Sequence, residues 1–123
     1  MAIVELSQKF FIEVAHRMPS FPADHPNNRI HGHSYEVVVT LKGPINSQTG
    51  VLIKMEDFQS QLELVREKID HRMLNDLPGL EIPSSENISR WIWKELSQRF
   101  SNLYSVSVER PNLGLKITYK DEK

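Results

Sequence analysis

Between Tyr35 and Leu41 the chain reads Tyr-Glu-Val-Val-Val-Thr-Leu, and Gly43-Pro44 ends the run. β-Branched and aromatic residues at this density fit a pleated, half-buried surface and predict a strand. Side chains on a strand alternate between faces. His31, His33, Tyr35, Val37, Val39 and Leu41 therefore point one way, and Ser34, Glu36, Thr40 and Lys42 mostly the other. Two imidazoles, separated by Gly32, enter the strand on its apolar side. Such a pair can present two nitrogens to one metal ion; it can equally be two ordinary polar side chains at a turn. A third ligand is needed to choose.

The preceding segment supplies one. In residues 3 to 17, Val4, Leu6, Phe10, Ile12 and Val14 share one parity, and His16 falls on the same face. The β-branched and aromatic content predicts a long strand rather than a helix, with Phe11 a hydrophobic exception on the outer face. Residues 18 to 29 hold three prolines and two adjacent asparagines, the composition of a loop. If the two strands pair antiparallel, this loop brings His16 beside His31 and His33, all on the apolar side.

The rest of the chain changes period. Pro44 to Gly50 is a turn, and Met55, Phe58, Leu62, Val65 and Ile69 then recur three and four apart, as on one face of an amphipathic helix. Asp70 to Asn75 closes that helix. A second begins after Pro83, where Ser84 or Ser85 can cap free amides. Its buried stripe is Ile88, Trp91, Ile92, Leu96 and Phe100, so that both tryptophans, in or beside the stripe, read as packing. Tyr104, Val106 and Val108, then Leu115, Ile117 and Tyr119, alternate as two further strands around an Arg110–Gly114 turn. The order β-β-α-α-β-β predicts an α+β fold, with an antiparallel sheet and two helices on one face, in a single domain over residues 1–123.

Composition removes whole classes of function. A formal net charge of −1 over 123 residues gives no basic field for nucleic acid and no reason to expect a membrane surface. The chain has no cysteine, hence no disulfide, thiolate metal site or cysteine nucleophile. The N-terminus lacks the apolar run of a signal peptide, and no segment approaches the roughly 18 apolar residues of a membrane span. A cytoplasmic protein is expected.

Three imidazoles with no other protein ligand suit Zn2+, leaving its fourth position for water or substrate. A generic zinc hydrolase would account for this much. Asp70 beside His71 can fix the imidazole tautomer and make a proton shuttle, or simply end a helix whose dipole favours His71. Glu109 lies opposite in parity to Val106 and Val108. It is either a solvated charge or a carboxylate held for a ligand with two parallel N–H donors.

In this order, the pieces Ala15-His16-Arg17, His31-Gly32-His33-Ser34-Tyr35, Asp70-His71, Pro83-Ser84-Ser85-Glu86-Asn87, Trp91-Ile92-Trp93 and Val108-Glu109 resemble the 6-pyruvoyl-tetrahydropterin synthase / 6-carboxy-tetrahydropterin synthase family. The resemblance implies a T-fold, whose subunits join their sheets into an oligomeric barrel, a trimer or a hexamer of two trimers. It implies His16, His31 and His33 as zinc ligands, Asp70 and His71 as the acid/base pair, and Glu109 as the pterin anchor. The implied substrate is 7,8-dihydroneopterin triphosphate or a related dihydropterin. It is converted by loss of triphosphate to a pyruvoyl compound or, in queuosine biosynthesis, with further loss of acetaldehyde to a 6-carboxy compound. One position departs from the pattern. The family's catalytic cysteine stands four residues before the first histidine of His-Gly-His, where this chain has Asn27, and the glutamate that replaces it in some relatives corresponds to Asn28. Neither amide is a general base at neutral pH. Asp24 or His25 in the same loop is then the expected substitute; the other expectation is a zinc- and pterin-binding paralogue without the activity.

Overall fold

The computed structural model describes residues 2–121. Two long strands dominate it. β1 (Ile3–His16) and β2 (His31–Pro44) are each 14 residues and pair antiparallel along their whole length, from Ile3 opposite Pro44 to His16 opposite His31. After β2 come helices α1 (Met55–Ile69) and α2 (Ser85–Ser97), then β3 (Leu103–Arg110) and β4 (Leu115–Tyr119). The sheet order is β1-β2-β3-β4, antiparallel throughout, and the α+β arrangement is the one the sequence patterns predict.

The core lies between the sheet and the two helices. Ile12, Tyr35, Val37, Val39, Val106 and Val108 supply the sheet side, and Phe58, Val65, Ile69, Ile88, Ile92 and Leu96 the helix side. Each strand therefore alternates core-facing and outward residues, as the parity reading requires. The stripe on α1 begins one turn later than the spacing predicts. Met55 is 44% exposed because it opens the helix beyond the packed layer, and Phe58 is the first buried residue. Phe11, the exception in β1, is 53% exposed on the opposite face of the sheet.

Local chemistry sets the helix ends. Acidic Glu56 and Asp57 open α1, while Arg66 and Lys68 close it, all favourable to the helix dipole. Ser84 caps α2, its hydroxyl accepting the Asn87 amide at 3.1 Å. Both tryptophans pack as expected and each also finds an acceptor for its indole N–H. Trp91 donates to the Pro78 carbonyl at 3.2 Å, and Trp93 to the Asp121 carboxylate at 3.0 Å.

α1 stops at Ile69; Asp70 is extended and His71 takes a positive φ of 59°. That turn lays the following residues along the outer edge of β1. The Asp70 carboxylate accepts the Glu13 amide at 2.8 Å, the His71 amide donates to the Glu13 carbonyl at 2.7 Å, and the Ala15 amide donates to the Arg72 carbonyl at 3.0 Å. Edge-strand groups otherwise open to another chain are thereby satisfied within this one.

Ile92 is fully buried at the centre of the helix layer, so Ile92→Ala is expected to cost about 2–5 kcal/mol and Ser84→Ala about 0.5–2 kcal/mol of unfolding free energy. Urea denaturation of both variants checks the ranking; equal losses would contradict it.

Candidate metal centre and its surroundings

The pairing of β1 with β2 puts His16 directly opposite His31, with His33 opposite Val14 one step inward on the same face. His16 is buried and the other two are half-buried. The three rings stand edge to face, with centroids 4.6, 4.9 and 4.7 Å apart. One ring nitrogen from each lies within 4.8 Å of the others.

Backbone carbonyls orient two of the rings. His16 Nδ1 is 2.9 Å from the Pro83 carbonyl, and His31 Nδ1 is 2.7 Å from the Arg29 carbonyl. A carbonyl can only accept, so both Nδ1 atoms carry the proton and both Nε2 atoms keep a lone pair. In these neutral tautomers the two Nε2 atoms face each other lone pair to lone pair at 3.1 Å. A cation between them resolves the repulsion. Two nitrogens at tetrahedral zinc, with bonds of about 2.0–2.1 Å, stand about 3.3 Å apart. The donor set fits a metal ion.

Electrostatics agree. Burial holds the His33 pKa down to about 4, helped by the Arg110 guanidinium and by His16 and His31. Burial also lowers His16, against the opposing pull of its bond to Pro83. His33 is therefore neutral across the physiological range, and burial biases His16 toward the same neutral form that a ligand requires.

Two cavities flank the histidines. One, of about 560 Å³, is bounded by His31 and His33 together with Glu13, Ser34, Arg110 and Asn112. The other, of about 600 Å³, adds Tyr35, Ser85, Glu86 and Asn27 around all three rings. Tyr35 is almost wholly buried, which pushes its hydroxyl up from the ordinary value.

The remaining site residues expected from sequence stand elsewhere. Asp70 and His71 form a pair, His71 Nδ1 lying 2.8 Å from an Asp70 carboxylate oxygen that also takes Arg66 at 3.0 Å. Burial raises Asp70, but the Glu13 amide, the His71 ring and Arg66 outweigh it and hold its pKa below the usual value. The pair sits on the outer edge of β1, with the His71 side chain 75% exposed, and borders neither cavity. Glu109 is half-buried on the far side of the sheet, between Glu36 and Lys116 in register. The structure thus brings the three histidines together and leaves the Asp70–His71 pair and Glu109 at separate places on one chain.

The loop before β2 also differs from expectation. Asp24 is exposed, and neither it nor His25 borders the cavities. The His25 ring stacks on Phe21 at 4.5 Å, and its Nδ1 accepts the Asn27 amide at 3.0 Å. That bond occupies the lone pair a base would use. Asn28 is structural, its oxygen accepting from Arg17 at 2.7 Å and its amide donating to the Phe21 carbonyl at 2.8 Å. Asn27 faces the cavity.

Sequence reasoning missed Tyr35, Ser85, Glu86 and Arg110 as residues around the metal centre. Arg110 had a visible signal: it shares parity with Val106 and Val108, so it is a cation at an apolar-face position.

Comparison with known proteins identifies the framework. The chain is 34% identical over 107 residues to a 6-carboxy-5,6,7,8-tetrahydropterin synthase from Synechocystis, covering 82% of this chain and 81% of that protein. It is 28% identical over 134 aligned positions to the human 6-pyruvoyl tetrahydrobiopterin synthase, covering 96% and 92%. The solved structure of Caenorhabditis elegans 6-pyruvoyl tetrahydropterin synthase superposes with a TM-score of 0.88 at 25% identity, over 99% of this chain and 98% of that one, so the fold is the T-fold. The sequence model for 6-pyruvoyl tetrahydropterin synthase matches residues 5–122, and the chain belongs to that family.

Proposed function

We propose that the protein is a zinc-dependent pterin lyase or synthase acting on 7,8-dihydroneopterin triphosphate or a related dihydropterin, built as one domain over residues 1–123. The observation that carries the reading is the histidine triad, with two Nε2 lone pairs aimed at each other and both Nδ1 protons committed to carbonyls. His16, His31 and His33 would hold Zn2+, which would supply Lewis acidity there, making a substrate hydroxyl more acidic and stabilising adjacent negative charge.

The other residues do the rest. Asp70 keeps the proton on His71 Nδ1, leaving Nε2 to take a proton from the substrate and return it. Glu109 presents two carboxylate oxygens to parallel N–H donors on a pterin ring. Because the pair and Glu109 stand apart from the triad within one chain, the reading includes a homo-oligomer, trimer or hexamer, in which neighbouring sheets complete each site. One observation favours a second reading, a catalytically altered paralogue that binds zinc and pterin. Asn27 faces the cavity where a relative's cysteine would stand, and His25 cannot replace it without giving up its bond to the Asn27 amide.

The deciding experiment incubates zinc-loaded protein with 7,8-dihydroneopterin triphosphate and reads products by mass spectrometry. Release of triphosphate, with or without acetaldehyde, is the expected outcome; unchanged substrate recovered on the protein selects the second reading. Asp70→Asn retains an oxygen for the Glu13 amide but removes the charge that orients His71. Turnover is expected to fall ~10²-fold or more with zinc content unchanged. Loss of zinc in that variant would instead tie Asp70 to the metal centre.

The metal-free protein also has a pH signature. His33 is depressed from its ordinary 6.5 to about 4, so between those values the unfolded state binds more protons than the folded one. Stability is fully present above about 6.5 and declines as pH falls toward 4. Melting temperatures without metal should fall across this window, less steeply in His33→Gln. The rise produced by added zinc should vanish toward its acid end.

A further inference from the structure

Arg110 is the last residue of β3, one step past Glu109, which pairs with Glu36. Continuing the register sets Arg110 across from Tyr35, on the helix side of the sheet and diagonal to His33. It borders both cavities, one on either side of His31 and His33. Half-buried as it is, it belongs to none of the ion pairs formed among the described residues. Two carboxylates share these cavities without pairing with it: Glu13, which accepts the Ser34 hydroxyl, lines the first, and Glu86 lines the second. With a divalent ion in the triad, a guanidinium and a metal would share one partly enclosed space in which neither Glu13 nor Glu86 forms an ion pair with Arg110. Two cations are stable there when an anion joins them.

We propose that Arg110 is an oxyanion-binding residue that holds a phosphate group of the substrate beside the metal ligands. The inference rests on the pterin reading for the rest of the ligand. Guanidinium offers a planar fork of N–H donors that matches phosphate oxygens, and it carries its charge at every relevant pH. The cavity on the Glu13 side is about 560 Å³, the size of a small-molecule site. Besides Arg110, its lining includes Gly32, Ser34 and Asn112, with the one carboxylate, Glu13, engaged by the Ser34 hydroxyl. Several polar groups around one fork suit a chain of phosphates better than a single carboxylate. The guanidinium would also hold the phosphate end while the hydroxyl-bearing side chain between phosphate and pterin lies across the histidines, so Arg110 selects phosphorylated over unphosphorylated dihydropterins.

Calorimetric titration of zinc-loaded wild type, Arg110→Gln and Arg110→Lys tests this with inorganic triphosphate, 7,8-dihydroneopterin and 7,8-dihydroneopterin triphosphate, zinc content being checked after each run. Arg110→Gln should weaken inorganic triphosphate and the triphosphate ester by ~10- to ~100-fold and leave 7,8-dihydroneopterin within about twofold. Arg110→Lys should recover part of the loss, and the wild-type preference should shrink as salt rises. An equal loss for all three ligands makes Arg110 a support for the site as a whole and overturns the proposal, as does no loss for either phosphate. If the wild type ignores 7,8-dihydroneopterin, the pterin reading fails while inorganic triphosphate still reports on Arg110.

Discussion

The antiparallel register of β1 on β2 is the constraint on which the remaining features depend. It runs without a break from Ile3 opposite Pro44 to His16 opposite His31. Because side chains alternate strictly, a slip of one residue would turn Val37 and Val39 out of the core and carry His31 and His33 to the wrong face together. The hydrophobic core therefore enforces the geometry of the histidine triad. The cost of exposing several valines and leucines far exceeds any local preference of the histidine loop. The ring orientations depend on two further chain segments: Pro83, just before α2, receives His16, and Arg29, at the end of the loop, receives His31. Packing of the helices and closure of the loop thus select which imidazole nitrogen is offered to a cation.

A second consequence concerns the edges of the sheet. β1 and β4 are the outer strands. The C-terminal half of β1 is covered by the chain that leaves α1, through Asp70, His71 and Arg72. The Asp70–His71 pair is held where it is by the unsatisfied backbone of Glu13, and the positive φ of His71 is the conformational cost of making that contact. Coverage ends there. The N-terminal half of β1 retains outward-facing backbone groups, and Phe11 is exposed on the face away from the helices. Edges of this kind favour joining to another sheet, which supports the homo-oligomer proposed above.

Much of this was legible in the sequence because period-2 alternation in β1 and β2 is so regular. It placed His16, His31 and His33 on one face and Glu109 on the other, and the change to a period near 3.6 located both helices. Where the reading fell short, the determinant was tertiary. Met55 fits the helical spacing but lies beyond the layer that buries Phe58. Whether Asp70 and His71 could meet depended on where α1 ended, since adjacent positions within a helix do not face each other. Glu86 sits in the first turn of α2, where an acid is favourable to the helix dipole, and only the docking of that helix on the sheet places it near the histidines. Arg110 was read as part of a turn, although β3 runs through it. Tautomers, set by the carbonyls of Pro83 and Arg29, have no sequence signature.

The loop and Arg110 are best understood together. In the loop, Asn28 is committed to Arg17 and Phe21, and the His25 lone pair to the Asn27 amide, so the face turned to the cavity is an uncharged carboxamide. An acidic side chain at Asn27 would sit in the same cavity as Arg110 and compete with any anionic ligand for it. A carboxamide cannot. It offers no ionisable proton and adds no second carboxylate to Glu86, which already lines this cavity with Arg110. An uncharged Asn27 keeps the potential around the histidines more positive than an acid there would, and under the proposed function the base must then come from outside this cavity. The anion site proposed at Arg110 and the proton-transfer role proposed for His71 therefore make separate demands, since the exposed His71 side chain on the outer edge of β1 can take that role only at a site other than the triad of its own chain.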